Sequence, residues 1–219
     1  IIRWWINAGL PADTTLADMA PESEIANLLA IELGLGDSGT QLMVQSYPPV
    51  AIDALNQLIQ QGWQVRALSR DSNGLSVSLL SKGKPVTAAM LEALAVVRES
   101  LVEINLASTG VSDALLPLLA DFRALERLNL SNNSITDEGL EVLASNTALR
   151  TLNLYGNPQI SDSGLLSLSP LTGLTTVYTW GTAVTQEGMA NLSAALPGLT
   201  IHGHSEMIPV DSDVEQEAE

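Results

Sequence analysis

Two neighbouring histidines are the residues of this chain whose types and spacing most directly suggest metal chemistry. His202 and His204 are the only imidazoles, and Glu206 follows two residues later. Alternate residues of a strand project to the same side, so these three groups would point in one direction. Two imidazoles do not make a catalytic zinc site, which needs three protein ligands and an open position. We therefore predict no metal and no cofactor, with His202 and His204 as the only candidate ligands.

Other catalytic arrangements are not evident in the sequence. The chain has no cysteine, which excludes thiol catalysis, disulfides, iron–sulfur ligation and covalent c-type haem attachment within these residues. It has no Gly-rich phosphate loop, no Ser-His-Asp spacing and no nucleophile elbow. Among its 25 acidic residues an acid pair can be drawn anywhere, so carboxylates alone do not indicate a glycosidase. We predict that this chain is not an enzyme.

The charge argues against two classes of partner. Nine basic residues stand against 25 acidic ones, giving a formal net charge of −16. Nucleic acids and anionic membranes are polyanions that recruit Lys and Arg, so neither is an expected partner. No apolar run approaches the roughly 20 residues of a spanning helix, so we expect no direct membrane insertion by this chain. Apolar residues make up 46% of it and aromatic residues 4%, a balance that suits thin repeated layers.

A repeated unit organises the second half of the chain. The units begin at equivalent leucines and carry apolar residues three and five positions later, then Asn or Thr at the eighth position. Each continues with a polar turn that opens a short helix, as in Ile135-Thr136-Asp137-Glu138-Gly139-Leu140. The four starting residues are Leu101, Leu125, Leu149 and Leu174. A fixed period of this length predicts an α/β solenoid, with parallel strands on the concave face and short helices on the convex face.

Each repeated position has a physical reason. A single strand–loop–helix unit cannot bury both of its apolar sides, so units stack and the leucines point into a shared core. The Asn or Thr at the eighth position is predicted to satisfy backbone groups of adjacent coils. Ser, Thr or Asp at the start of each helix is predicted to cap it. We interpret the row of Asp113, Asp137 and Asp162 as part of this helix capping.

The rest of the chain is predicted to flank the solenoid. Residues 1–61 are interpreted as a helical segment, and residues 62–100 as an N-terminal cap built from a β-hairpin and the helix Thr87–Ser100. In the segment Val50–Gln61, helical spacing of the apolar residues Ile52, Leu55, Leu58 and Ile59 predicts a helix. The repeats are expected to occupy residues 101–204, with a closing edge strand Leu199–His202. Residues 205–219 form an acidic stretch that is predicted to be disordered.

Side chains alternate along the predicted strands, so the residues two, four and six positions after each starting leucine face the concave side. Tyr and Trp accumulate there toward the C-terminal coils, and these residue types anchor partners or stack on sugars. The alternative is a packing patch against the tail, the cap or a neighbouring domain. The predicted binding residues are Arg127, Asn129, Asn153, Tyr155, Tyr178 and Trp180.

The repeats resemble the leucine-rich-repeat superfamily, in the subtype whose helices start with I-T-D-x-G-L. The stretches 177–188 and 195–201 are similar to the last repeats of exported bacterial proteins that join a planctomycete-type c-type cytochrome domain to leucine-rich repeats. Ile2-Arg3-Trp4-Trp5-Ile6-Asn7-Ala8-Gly9 resembles the C-terminal helix of that cytochrome domain, and Gly62–Val77 resembles the strand pair before the repeats. No Cys-x-x-Cys-His is present, so haem binding is not carried over to these residues.

The resemblance implies a role for the parent protein. The chain opens without Met inside a predicted helix, and we expect a fragment of a longer, periplasmic or otherwise extracytoplasmic protein whose haem lies outside this chain. The module is expected to bind or scaffold an unknown protein or glycan partner without catalysis. The competing hypothesis is a carbohydrate-active or metal-dependent hydrolase that uses the surface around Tyr178, Trp180 and His202.

Overall fold

A computed structural model describes residues 47–69, 73–79 and 85–203 of the chain. Most of the predicted helical segment 1–61 and the acidic stretch 205–219 lie outside the described residues. The second candidate metal ligand, His204, also lies outside them.

The described part begins with the cap. Helix α1 (Ile52–Gln60) precedes strands β1 (Trp63–Ala67) and β2 (Leu75–Leu79), which pair antiparallel as predicted. Helix α2 (Ala88–Ala93) then runs into a short 3-10 helix, Leu94–Val97. The side chain of Thr87 accepts a hydrogen bond from the Met90 N–H, which confirms the predicted N-cap. The predicted continuous helix to Ser100 is wrong, because the last two turns tighten into the 3-10 helix and a turn.

Helix α1 buries only some of the apolar residues that share its helical spacing. Leu58 is buried and packs in the same core cluster as Trp63, so α1 shares the core of the cap. Ile52 and Ile59, which share the helical spacing, are 75% and 48% exposed. Only one narrow side of the helix, which includes Leu58, packs against neighbouring elements.

The repeats form the predicted solenoid. Its five strands extend the cap hairpin into one seven-stranded sheet whose order follows the sequence, and every pair after β1–β2 is parallel. The strands are β3 (Leu101–Asn105), β4 (Arg127–Asn129), β5 (Thr151–Asn153), β6 (Thr176–Tyr178) and β7 (Thr200–His202). A 3-10 helix, Asp113–Leu119, follows β3. Helices follow the next three strands: α3 (Asp137–Leu143), α4 (Asp162–Leu166) and α5 (Gln186–Ala195).

The core confirms the repeated leucine pattern. In the second and third coils, the starting leucine and the leucines three and five positions later are all buried, none more than 2% exposed. These six residues are Leu125, Leu128, Leu130, Leu149, Leu152 and Leu154. The strands are shorter than predicted, but the parallel bonding continues past them, since the Leu130 N–H still donates to the Asn153 carbonyl.

Asn133 and Asn157 confirm the prediction for the eighth position, whereas the threonines at this position, Thr109 and Thr182, donate only within their own coils. Asn157 Nδ2 donates to the carbonyls of Leu154 in its own coil and Leu130 in the preceding coil, at 2.9 and 3.0 Å. Its Oδ1 accepts from the Ile135 N–H at 3.1 Å. Asn133 makes the same connections one coil earlier. Each amide therefore satisfies backbone groups in two coils that would otherwise be buried without partners.

The aspartate row contributes to helix capping across neighbouring coils. Asp137 accepts hydrogen bonds from both the N–H and the hydroxyl of Ser161 in the following coil, at 2.7 and 2.6 Å. Asp113 and Asp162 hold Thr136 and Thr185 in the same way. Those Ser and Thr residues are the N-caps, since each accepts from an N–H of its own helix. Each carboxylate thus fastens the N-cap of the next helix, so the aspartates take part in helix capping between coils and are not the N-caps of their own helices.

The glycine of the repeated helix start is required by this carboxylate. A Cβ at Gly164 would collide with the Asp137 carboxylate and backbone, and Gly139 and Gly188 lie equally close to Asp113 and Asp162. Burial raises the pKa of Asp137, but its hydrogen bonds from Ser161, Ser163 and the Gly164 N–H outweigh burial and hold the pKa below the ordinary value. The I-T-D-x-G-L pattern therefore encodes contact between coils.

We predict that Gly164→Ala destabilises the fold although it lies in a helix. Alanine normally stabilises a helix interior by roughly 1 kcal/mol relative to glycine, so a loss must come from the collision with Asp137. Gly173→Ala is the control, because a Cβ there meets only ordinary contacts of 3.6 Å or more. Urea unfolding should give a loss of about 1–3 kcal/mol for Gly164→Ala and almost none for Gly173→Ala. Equal stability of the two variants would contradict the close approach.

The lowered pKa of Asp137 predicts that the stability of the fold depends on pH. A carboxyl whose folded pKa is lowered stabilises the fold above its unfolded value, here 3.8, and loses that contribution as pH falls through the folded pKa. The free energy of unfolding of the wild type should therefore exceed that of Asp137→Asn most above about pH 5. The difference should shrink as the solution is acidified below 3.8. A difference that stays constant over this range would show that ionised Asp137 contributes nothing.

Candidate functional site

The concave face of the sheet is almost free of charge. Residues one position to either side of the buried strand residues point to this face. Among the described ones, only Glu103 and Arg127 are charged on the parallel strands, and Arg66 is charged on β1. Glu103 and Arg127 pair with each other, with Arg127 Nη2 3.0 Å from Glu103 Oε2. A protein with a formal net charge of −16 therefore presents a neutral strip along its parallel strands.

Three stacked rings lie at the C-terminal end of this strip. Tyr178 and His202 are cross-strand neighbours, with centroids 5.0 Å apart and planes inclined by 16°. Trp180 lies 5.9 Å from Tyr178 and 5.8 Å from His202, with similar inclinations. We call these three residues the ring cluster. Trp180 is 39% exposed, while Tyr178 and His202 are half-buried.

Tyr155 continues the aromatic surface by one coil. Its carbonyl accepts from the Asn132 N–H, and the Trp180 carbonyl accepts from the Gly156 N–H, so the two residues occupy equivalent places in neighbouring coils. Tyr155 is 46% exposed and makes no ring contact with another described residue. The structure thus brings Tyr155, Tyr178 and Trp180 to one side, as predicted from the strand alternation.

Three asparagines form a row beside the ring cluster. Asn105, Asn129 and Asn153 are directly paired across β3, β4 and β5, and Asn153 is paired with Tyr178. The Oδ1 of each accepts from the backbone N–H two residues later at 3.0 Å. Each amide is therefore oriented, and its Nδ2 has no hydrogen-bond partner among the described residues. We call these residues the asparagine row.

Arg127 does not flank the rings as predicted. Its Nε and Nη2 both donate to Glu103 Oε2, at 3.1 and 3.0 Å, toward the N-terminal end of the strip. Strand β4 is also two strands away from β6, which carries Tyr178 and Trp180. The pair is partly exposed, with 43% and 34% of the two side chains accessible, so it contributes little to stability. The sequence missed this pairing because it depends on the register of neighbouring coils.

The described residues contain neither clustered metal ligands nor a helix that could cross a membrane. No group of three or more His, Asp or Glu side chains there comes close enough together to hold a metal ion. His202 belongs to the ring cluster, a contact that the sequence did not indicate, and His204 lies outside the described residues. None of the described helices has the length and apolar character needed to cross a bilayer.

Comparisons with known proteins agree with the repeat pattern. Residues 123–171 match the family model described as Leucine Rich repeats (2 copies). No curated protein sequence matches the chain. Similar solved structures include an internalin (inlF) from Listeria monocytogenes, at 24% identity and a TM-score of 0.43 over 53% of this chain and 32% of that one. Another is internalin C2 (inlC2) from the same organism, at 28% identity and a TM-score of 0.40 over 55% of this chain and 51% of that one.

The chain therefore spans about a third and about half of the lengths of these two internalins. The parallel sheet, the buried leucines and the family match together make the fold of residues 101–203 a leucine-rich-repeat solenoid.

We predict that Asn153 holds its turn through Oδ1 alone. Asn153→Ala removes the bond to the Tyr155 N–H and should cost about 0.5–1.5 kcal/mol in urea unfolding. Asn153→Asp keeps an acceptor at the same place, so its free energy of unfolding should stay within about 0.5 kcal/mol of the wild type. If the Asp variant loses as much stability as the Ala variant, the Nδ2 group has a structural partner and is not available to a ligand.

Proposed function

We propose that this chain is a non-catalytic binding or scaffolding module that recognises its partner on the concave face. The carrying observation is the ring cluster, which stands partly exposed on an uncharged part of a rigid sheet. Tyr and Trp dominate the binding energy of protein interfaces. Rings that are already ordered by stacking lose little side-chain freedom when a partner binds. The proposed contact residues are Tyr155, Tyr178, Trp180, His202, Asn129 and Asn153.

The net charge of the chain limits the classes of partner that this module can bind. A formal net charge of −16 repels acidic proteins, nucleic acids and anionic membranes through long-range electrostatics. The neutral strip itself favours a partner whose contacting segment is also uncharged. We therefore propose a neutral or basic protein as the partner, with a glycan as the alternative.

The hydrolase hypothesis has no specific observation in its favour. Glycoside hydrolysis requires two carboxyl groups close to the scissile bond. The only described acid on the concave face, Glu103, is paired with Arg127 and lies on β3, three strands from the ring cluster. Within the part of the chain that the structure describes, the hypothesis therefore has no acid–base pair beside the surface that it would use.

For the parent protein, we propose an extracytoplasmic c-type cytochrome fusion in which this chain is the repeat module. The support is the sequence resemblance of residues 2–9, 62–77, 177–188 and 195–201 to such proteins. We keep the proposed boundaries at 1–61, 62–100, 101–204 and 205–219, with α1 packed on the cap.

The binding face can be tested by site-specific photocrosslinking. A photoreactive phenylalanine derivative at Tyr155 or Trp180 should crosslink the partner when the purified chain is incubated with an extracytoplasmic protein fraction of its source. The matched control is Leu166 on the convex helix α4, because Leu166 and Tyr155 are both 46% exposed. Crosslinking from Leu166 but not from Tyr155 or Trp180 would move the binding surface to the convex face.

The proposed parent protein predicts what lies upstream in the gene. Sequencing the gene before Ile1 should show a Cys-x-x-Cys-His motif and a secretion signal, because covalent haem attachment requires both thiols and the axial imidazole. A haem stain of the full-length protein should then be positive at its full mass. An upstream sequence without that motif would refute the cytochrome fusion and leave the binding proposal untouched.

A further inference from the structure

We infer that the asparagine row and the ring cluster together bind a proline-rich segment in the polyproline II conformation, laid across the strands. This inference rests on the proposed function and names the chemistry of its partner. It follows from three properties of the strip: its hydrogen-bond donors, their spacing, and the way in which the rings are stacked.

The asparagine row offers donors whose own acceptors are already used. Each Oδ1 is bound to the backbone N–H two residues later, so Nδ2 is the part of each amide left for a ligand. Trp180 adds an indole N–H, which can only donate. A complementary ligand needs many acceptors and few donors. Proline has a carbonyl but no N–H, and the polyproline II helix makes no internal hydrogen bonds, so its carbonyls are free.

The spacing of the asparagine row fits the same conformation. Adjacent strands lie about 4.8 Å apart, so Asn105 and Asn153, two strands apart, present their donors about 9.6 Å from each other. Polyproline II has three residues per turn and a rise of about 3.1 Å, so equivalent carbonyls recur every 9.3 Å or so. An extended β-strand repeats on one side every 6.6 Å or so, which matches neither one nor two strand separations.

The ring cluster also favours proline over a sugar. A sugar stacks on the open face of an aromatic ring, but within the ring cluster Tyr178 and His202 turn faces toward each other at 5.0 Å. The aromatic side chains most open to solvent are Trp180 and the separate Tyr155, which are 39% and 46% exposed. Exposed aromatic residues on neighbouring coils contact pyrrolidine rings in known modes of proline-rich recognition.

The test is a selection of peptides on the whole chain. A phage-displayed library of random dodecapeptides is panned on the immobilised wild type, and selected peptides are resynthesised for fluorescence polarisation. We expect enrichment of sequences with prolines three residues apart. The same wild-type chain is applied to an array of neutral oligosaccharides as the competing ligand class.

The decisive variant is Asn153→Asp. It keeps the acceptor that holds the turn and replaces the Nδ2 donor by a second acceptor, so affinity for a selected proline-rich peptide should fall about tenfold or more. Asn191→Asp, at an exposed position on the convex helix α5, makes the same charge change and should leave affinity unaltered. Tyr178→Ala/Trp180→Ala should abolish binding, with folding checked by circular dichroism.

The outcomes separate this inference from the proposed function. Enriched peptides without spaced prolines, whose binding still depends on Tyr178 and Trp180, overturn the polyproline II inference and leave the binding face in place. Oligosaccharide binding that Tyr178→Ala/Trp180→Ala removes has the same meaning. Proline-rich binding that both Asn153→Asp and the folded aromatic variant retain overturns the inference, and so does a selection that enriches nothing. If the aromatic variant unfolds, the inference is judged by comparing the peptide affinities of Asn153→Asp and Asn191→Asp.

Discussion

Hydrogen bonds between the side chains of one coil and the backbone of the next set the geometry on which the rest of this structure depends. Each coil is too thin to satisfy its own polar groups. Asn157 therefore donates hydrogen bonds to carbonyls of two coils and accepts one from the Ile135 N–H of the preceding coil. On the convex side, Asp137 accepts from the N–H and hydroxyl of Ser161. Leaving one of the buried groups around Asn157 unpaired would cost roughly 1–3 kcal/mol, which is a large part of the stability of a small protein. The bonds therefore determine the register as well as the stability of the stack.

That register creates the candidate site. Because the coils repeat without a slip, residues at equivalent strand positions line up across the sheet, and Asn105, Asn129, Asn153, Tyr178 and His202 become direct neighbours. A slip of one residue would exchange the buried leucines with this exposed row, so the apolar core enforces the same alignment. The strip therefore arises from the repeat itself. At one strand position the side chain changes from an amide to an aromatic ring, and this changes the chemistry of the strip along its length without disturbing the fold. The change from Asn153 to Tyr178 marks where the donor row ends and the ring cluster begins.

Much of this was predictable from the sequence, because periodic signals are local and redundant. The leucine spacing predicts the parallel strands and the core, the eighth-position asparagines predict backbone bonding, and alternation places Tyr155, Tyr178 and Trp180 on one face. What the sequence did not reveal depends on which atoms meet between coils. The pairing of Arg127 with Glu103, the stacking of His202 on Tyr178 and the hydrogen bond that the Ser161 hydroxyl donates to Asp137 each join residues about one repeat apart. Helical spacing also did not predict which apolar residues of α1 are buried, since Ile52 is 75% exposed and Leu58 is 1% exposed.

The central claim, that side-chain bonds between coils hold the stack in register, can be measured by native-state hydrogen exchange of individual amides. The N–H groups of Ile135 and Ser161 are bonded only to side chains of adjacent coils, Asn157 and Asp137. The N–H of Leu130, in the same region, is bonded to the backbone carbonyl of Asn153. If the side-chain bonds are integral to the fold, all three amides should exchange with the same free energy of opening, close to that of cooperative unfolding. Exchange of Ile135 and Ser161 that is orders of magnitude faster than that of Leu130 would contradict the claim, because it would show that these bonds open while the strands remain paired.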